Sequence, residues 1–251
     1  MQEVGRTVLA LALLMLVAGA VPLVDGVRQG RAVAWSAFRG AAQLLVVGLV
    51  LGAVFRAPLA VLPVLAVMVA AATATVTPRI AQLPTRSRWW RPVAVVAAVA
   101  TGAAVTASVV FATGALRLEP RNLVALGGIT IGGAMTASTL AGRRFLAELR
   151  ARRPEVEGKL ALGATMRQAT ADLVAVAVAE ALVPALDQTR TTGLVTLPGA
   201  FVGALFGGAS PLAAARFQLV VLVGLLAAES VAAVVLLRLL ADVPFLPAEA
   251  R

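Results

Sequence analysis

The sequence predicts an all-α, polytopic membrane protein with about seven transmembrane helices. Three observations carry that prediction. Hydrophobic residues make up 60% of the chain and its mean hydropathy is +0.94. Charged residues make up only 14%, against roughly 25% in soluble domains. The apolar residues come in continuous runs of span length rather than in the alternating pattern of a membrane barrel. A soluble domain of 251 residues has no interior large enough for this much apolar sequence.

The runs follow one another along the chain. The first is Thr7–Val24, which lacks an A-x-A cleavage site behind a basic flank and reads as a retained span. Val33–Val54 is the second and carries Arg39 and Gln43 at membrane depth. Leu59–Thr77, Pro92–Thr113 and Arg121–Ala141 come next. A charged stretch from Gly142 to Asp172 interrupts the series. Leu173–Leu186 follows, 14 residues broken by Glu180, which reads as an interfacial or partly buried helix too short to cross. Thr191–Ala209 and Pro211–Leu240 complete seven spans. The chain reads as one domain, residues 1–251. The halves carry no matching broken helices of the kind that mark inverted-repeat transporters.

Loop charge sets the expected direction. With the N-terminus outside and the C-terminus inside, 15 basic residues fall on the cytoplasmic side and 4 outside. The stretch 142–190 then forms a cytoplasmic helical loop. Its first part places Phe145, Leu146 and Leu149 on one helical face, with Arg144, Glu148 and Arg152 spaced for i,i+4 pairs. Pro154 separates this helix from a second that Gly163 breaks. A solvated hairpin that closes a loop and a docking element for a cytoplasmic partner both fit. Trp89 and Trp90 beside Arg88 and Arg91 fit an interfacial anchor.

Composition excludes several functions. The net charge of +10 sits in short loops between apolar runs, as in membrane loops, so nucleic acid is not the expected partner. There is no cysteine, histidine or tyrosine. That removes thiolate and imidazole ligands and the commonest general base, and the chain does not read as an enzyme. Lys159 is the only lysine and Leu160 follows it, so a G-x-x-x-x-G-K-[ST] phosphate cradle is impossible. No cofactor is expected in this chain; ATP and magnesium would belong to another.

Polar groups at membrane depth are functional candidates. Arg39, Gln43, Glu180 and Glu229 qualify, the two glutamates more weakly. Asp187 and Arg190 fall where the short helix meets the next run and are candidates for a gating relay. Pro198 and Gly199 would kink that run. Gly128 with Gly132, and Gly199 with Gly203 and Gly207, are spaced for close helix packing. Few carboxylates lie in the apolar runs, so no metal ligands can be named.

The segment from Glu157 through Lys159, Leu160 and Leu162 to Gly163-Ala164-Thr165 resembles the EAA loop of ABC transporter permeases. There, a short cytoplasmic helix docks into a groove of the ATPase subunit. Gly158 and Lys159 stand where that loop has two alanines, and Val183-Pro184 comes later than its Leu-Pro. A wider pattern runs from Trp35-Ser36, Arg39 and Gln43-Leu44 through Lys159–Thr165 and Ala181-Leu182-Val183-Pro184. It continues with Asp187, Thr192-Gly193-Leu194-Val195 and Leu197-Pro198-Gly199, then Pro211 and Arg216-Phe217-Gln218. This pattern resembles the FetB-type permeases of the UPF0014 family. The resemblance implies a permease in the bacterial inner membrane, linked to export of iron or another small solute. It implies a separate ABC ATPase partner in a complex of two permeases and two ATPases. It gives Glu157, Lys159, Leu160, Gly163, Ala164 and Thr165 the coupling role. An ATP-independent secondary transporter or channel is the alternative.

Overall fold

The computed structural model describes residues 2–54, 58–85, 87–243 and 246. Among them every regular element is helical. Two compact units are present, residues 1–57 and 58–251.

The first unit is a helical hairpin. α1 (Gln2–Ala20) and α2 (Gly30–Val54) are joined by a 3-10 turn, Val21–Asp25. The turn closes at Gly26, whose φ of 74° suits a residue without Cβ. Gly19 and Gly30 face each other across it, so close that a Cβ on Gly19 would lie 3.5 Å from the Gly30 Cα. On α2, Trp35 and Phe38 stack with ring centroids 5.8 Å apart.

The second unit is a bundle built from α3 (Val61–Arg79), α4 (Trp90–Ala112), α5 (Pro120–Ala151), α8 (Ala171–Thr191) and α10 (Pro211–Leu240). α5 touches the other four helices of the bundle. It starts at a proline, whose fixed φ and missing N–H cost nothing in a first turn. α10 also starts at a proline, behind Ser210, whose hydroxyl accepts the Ala213 N–H at 3.3 Å. Small residues let the helices approach. A Cβ on Gly102 would lie 2.5 Å from the Ala228 carbonyl oxygen, so α4 and α10 meet backbone to backbone there. Thr106 donates to the Gly224 carbonyl across the same seam at 3.2 Å. Thr130 and Thr139 return their hydroxyls to carbonyls four residues back, which satisfies them inside the bundle.

Most of the largest buried side chains gather at one end. Ile80 and Leu83 follow α3, Phe145 and Leu149 come from α5, Leu173 from α8, and Leu236, Leu237 and Leu240 from α10. Three short helices lie outside the bundle: α6 (Arg153–Ala161), α7 (Met166–Ala169) and α9 (Gly199–Phe206).

Among the described residues six helices are long and apolar enough to cross a membrane: α1, α2, α3, α4, α5 and α10. The expected span Thr191–Ala209 is not among them. Its chain is irregular from Thr192 to Pro198, and α9 is only 8 residues long. Gly193 (φ +85°) and Gly208 (φ +86°) take a left-handed backbone, and Pro198 stands outside the helix as its N-cap. A hydropathy window weighs composition and is blind to such breakers.

The length expected for Leu173–Leu186 is corrected too. α8 runs 21 residues, from Ala171 to Thr191, or about 31 Å at 1.5 Å per residue. Its charges kept it out of the hydropathy pattern, yet Glu180 is paired with Arg144 of α5 at 2.8 Å. Arg152, capping α5, meets Asp172 of α8 at 3.1 Å. Eight residues forward on α5 match eight residues back on α8, so the two helices run antiparallel. The connection between them is therefore 152–170, much shorter than 142–190, and Arg190 lies at the far end of the bundle from Arg152.

Candidate functional site

The connection 152–170 folds as a tight hairpin over the buried end of the bundle. α6 is short, yet it is tied on every side. Val156 is fully buried in the core, and Leu160, Ala164 and Met166 pack against that core. The other face of α6 carries an ion-pair network. Arg152 grips Glu155 with two hydrogen bonds of 2.7 Å. Lys159 reaches Glu155 at 2.9 Å and Asp172 at 2.8 Å, so it ties α6 to α8. Arg153 holds Glu157 at 2.7 Å.

These contacts are solvent-facing and shift the groups as expected. Hydrogen bonds from Lys159 and then Arg152 hold the Glu155 carboxyl below the usual range. Asp172, then Glu155, raise the Lys159 ammonium above its own.

The turn after α6 is a Schellman motif. Gly163 N–H donates to the Leu160 carbonyl at 2.9 Å and Ala164 N–H to the Lys159 carbonyl at 3.1 Å. Gly163 supplies the required left-handed residue at φ +91°. Open space surrounds its missing side chain, so the glycine serves the turn and no close approach within this chain. Thr165 then caps α7 in a capping box with Gln168. The turn holds Leu162 at the tip, 90% exposed. The structure thus brings together Glu157, Lys159, Leu160, Gly163, Ala164 and Thr165. It adds Glu155 and Asp172, which sequence reasoning passed over, and Arg152, which the sequence had paired only with Glu148. The i,i+4 spacing of Glu155 and Lys159 was the available signal.

The other candidates lie elsewhere. Asp187 and Arg190 sit in the last turn of α8, not at a junction between helices. They are 3.7 Å apart and 61% and 74% exposed. Pro198 kinks nothing, because it precedes α9; the prolines inside helices are Pro78 of α3 and Pro184 of α8. Gly199 opens α9, and neither it nor Gly203 has a neighbour within 4 Å of a would-be Cβ. In α5 the close glycines are Gly127, Gly133 and Gly142, against Leu65, Leu225 and Ile80; Gly132 faces open space and Gly128 makes an ordinary contact with Met68. Arg39 and Gln43 are exposed on α2. Glu229 is buried in α10 against Gly133 of α5.

A cavity of about 270 Å³ lies where α8 gives way to α9. Thr192, Gly193, Pro198 and Phe201 line it on one side and Gln218 and Leu222 of α10 on the other. Gln218 is 5% exposed and its Oε1 has no hydrogen-bond partner. Among the described residues no three acidic side chains converge as metal ligands.

Comparison with known proteins places the chain. The profile of an uncharacterised protein family, UPF0014, matches residues 6–245. A UPF0014 membrane protein of Bacillus subtilis, YjkA, is 32% identical over 79% of this chain and 78% of its own length. The "probable iron export permease protein FetB" of Escherichia coli is 31% identical over 80% of this chain and 76% of its own. The Arabidopsis thaliana protein ALUMINUM SENSITIVE 3 is 33% identical over 80% and 72%. No protein of solved structure matches.

Proposed function

The chain belongs to the UPF0014 family of membrane proteins, and from that premise and the shape of the 152–170 hairpin we propose that it is the permease subunit of an ABC transporter. Its role as a membrane permease follows the family. The ATPase partner, the paired assembly and the cargo are our reading. The observation that carries it is the hairpin itself. A stretch meant only to connect α5 to α8 needs neither a buried valine nor an ion-pair network nor a structured turn. These features hold one apolar side chain, Leu162, at a fixed place beyond the bundle, and such a rigid apolar tip suits insertion into a groove.

Two permease chains and two ATPase chains would form the complex, with ATP and magnesium bound by the ATPase. α8 would cross the membrane as a seventh helix, returning from the hairpin side. That moves Arg190 across, and the basic residues divide 14 inside to 5 outside, which still favours N-out and C-in. The hairpin then faces the cytoplasm, where ATP is. The cargo would be iron or a related small solute, by extension from the name of the Escherichia coli relative. With no histidine or cysteine in the chain, iron would pass in a chelated or transiently coordinated form.

The test is co-purification with a candidate ATPase, followed by ATPase stimulation across metals and small solutes. Leu162→Asp and Gly163→Leu should abolish stimulation while leaving the protein inserted. Normal recruitment and stimulation by both variants would refute the docking role. Transport in liposomes without any ATPase would favour a secondary transporter or channel.

A further inference from the structure

We propose that the end of the bundle beside the hairpin binds the phosphate headgroup of an anionic phospholipid, which bridges α7 and α10. The proposal is independent of the ATPase reading and rests only on the chain being a membrane protein. A cavity of about 340 Å³ opens where three separate segments meet. Thr85 and Ser87 line it from the α3–α4 connection, Trp90 from the start of α4, Arg167 from α7, and Arg238 from the last turn of α10. Two guanidinium groups and two hydroxyls therefore share one recess. Neither Arg167 nor Arg238 has an ion-pair partner among the described residues, while Asp242, which also lines the cavity, is engaged in a contact of its own. Planar guanidinium forks match phosphate oxygens, and the Ser87 hydroxyl can supply a further donor, while that of Thr85 is given to the Ser87 carbonyl at 3.1 Å.

The walls are fixed before any ligand arrives. Trp90 donates its indole N–H to the Leu239 carbonyl at 3.0 Å, pinning the start of α4 to the end of α10. Arg91 donates to the Leu83 carbonyl at 2.7 Å and holds the connection on the other side.

Position decides between a lipid and free phosphate. α4 begins at Trp90 and α10 ends at Leu240, both at the limit of an apolar helix. Trp89 is exposed there with the Arg88 guanidinium 5.0 Å above its ring, the arrangement of a membrane-interface belt. Exposed Val93 and Val96 continue down α4 from Trp90 and offer a surface for acyl chains. A phosphate delivered at that depth with chains attached is a phospholipid, and basic pockets at helix ends take anionic headgroups.

The protein is reconstituted in nanodiscs of phosphatidylcholine, with and without phosphatidylglycerol. Phosphatidylglycerol should raise the Tm and slow hydrogen exchange in α7. Arg167→Gln with Arg238→Gln should lose most of both effects, while Arg88→Gln, outside the cavity, keeps them. An undiminished response in the double variant would overturn the site. Equal protection by inorganic phosphate in phosphatidylcholine alone would overturn the lipid assignment. Native mass spectrometry of the wild-type needs no variant: selective retention of phosphatidylglycerol supports the proposal, and equal retention of both lipids refutes it.

Discussion

Lys159 of α6 holds Asp172 of α8 with contacts of 2.8 and 3.1 Å to its two carboxylate oxygens, and this joins the hairpin to the helix that follows it. Removing one partner leaves α6 held by Val156, Leu160 and the Arg152–Glu155 fork. Asp172→Asn should therefore leave the global Tm nearly unchanged, since the pair faces solvent. It should speed hydrogen exchange in α6 several-fold, because local opening no longer has to break that tie. Unchanged α6 protection would show that the apolar contacts alone hold the helix.

The network also predicts a pH response. The Glu155 carboxyl lies below its ordinary value of 4.5 because Lys159 and Arg152 bind its charged form. A group whose folded pKa is lowered contributes stability that is complete above its unfolded pKa and lost as pH falls through the folded one. Hairpin order should persist at neutral and mildly acidic pH and fail only below about 4.5. Limited proteolysis at stepped pH reads this out. Glu155→Gln should make cleavage near residue 158 less dependent on pH across the same window.

Glycines at different seams should answer differently to alanine. Gly102→Ala drives a methyl against the Ala228 carbonyl oxygen, which is backbone and cannot rotate away. A cost of about 1–3 kcal/mol is expected, as for other overpacked sites. Gly132→Ala meets open space and should be neutral or slightly stabilising. Unfolding in detergent compares the two, and equal effects would contradict the α4–α10 contact.

The return of α8 along α5 is open to direct labelling, because the chain has no cysteine of its own. Single cysteines at Gly158 and at Leu194, both exposed, should react with an impermeant reagent from opposite sides of the membrane. Reaction of both from one side would mean that α8 does not cross.

Asp187→Asn should leave both stability and transport at wild-type levels. The pair with Arg190 is long and open to solvent, and such pairs contribute little. A clear transport defect would restore the relay role to these residues.

The long apolar helices were legible in the sequence because composition alone reports them, and Phe145, Leu146 and Leu149 fell on a buried face as their spacing implied. The extent of α8 was underestimated because Asp172 and Asp187 bounded its apolar run, and Glu180 finds Arg144, a partner 36 positions away that no local window sees. The span at Thr191–Ala209 was misjudged for the opposite reason: its apolar count is high, while Gly193, Pro198 and Gly208 set the backbone. The hairpin motif from Glu157 to Thr165 was readable, since its turn depends on neighbours in sequence. Its ties to α8 were not, since Asp172 acts across a fold.

The two ion-pair rungs between α5 and α8 also make a mechanical statement. They stand eight residues apart on both helices, or about 12 Å along the axis. A slip of one turn, about 5.4 Å, would break both together, so this section of α8 behaves as a rod clamped to α5. Between the rungs α8 has no proline; Pro184 lies just past Glu180 and removes a backbone hydrogen bond there. The clamped rod thus ends at a compliant joint. A displacement applied at the hairpin would bend the molecule beyond Glu180, toward the Thr192–Pro198 break, rather than slide one helix along the other.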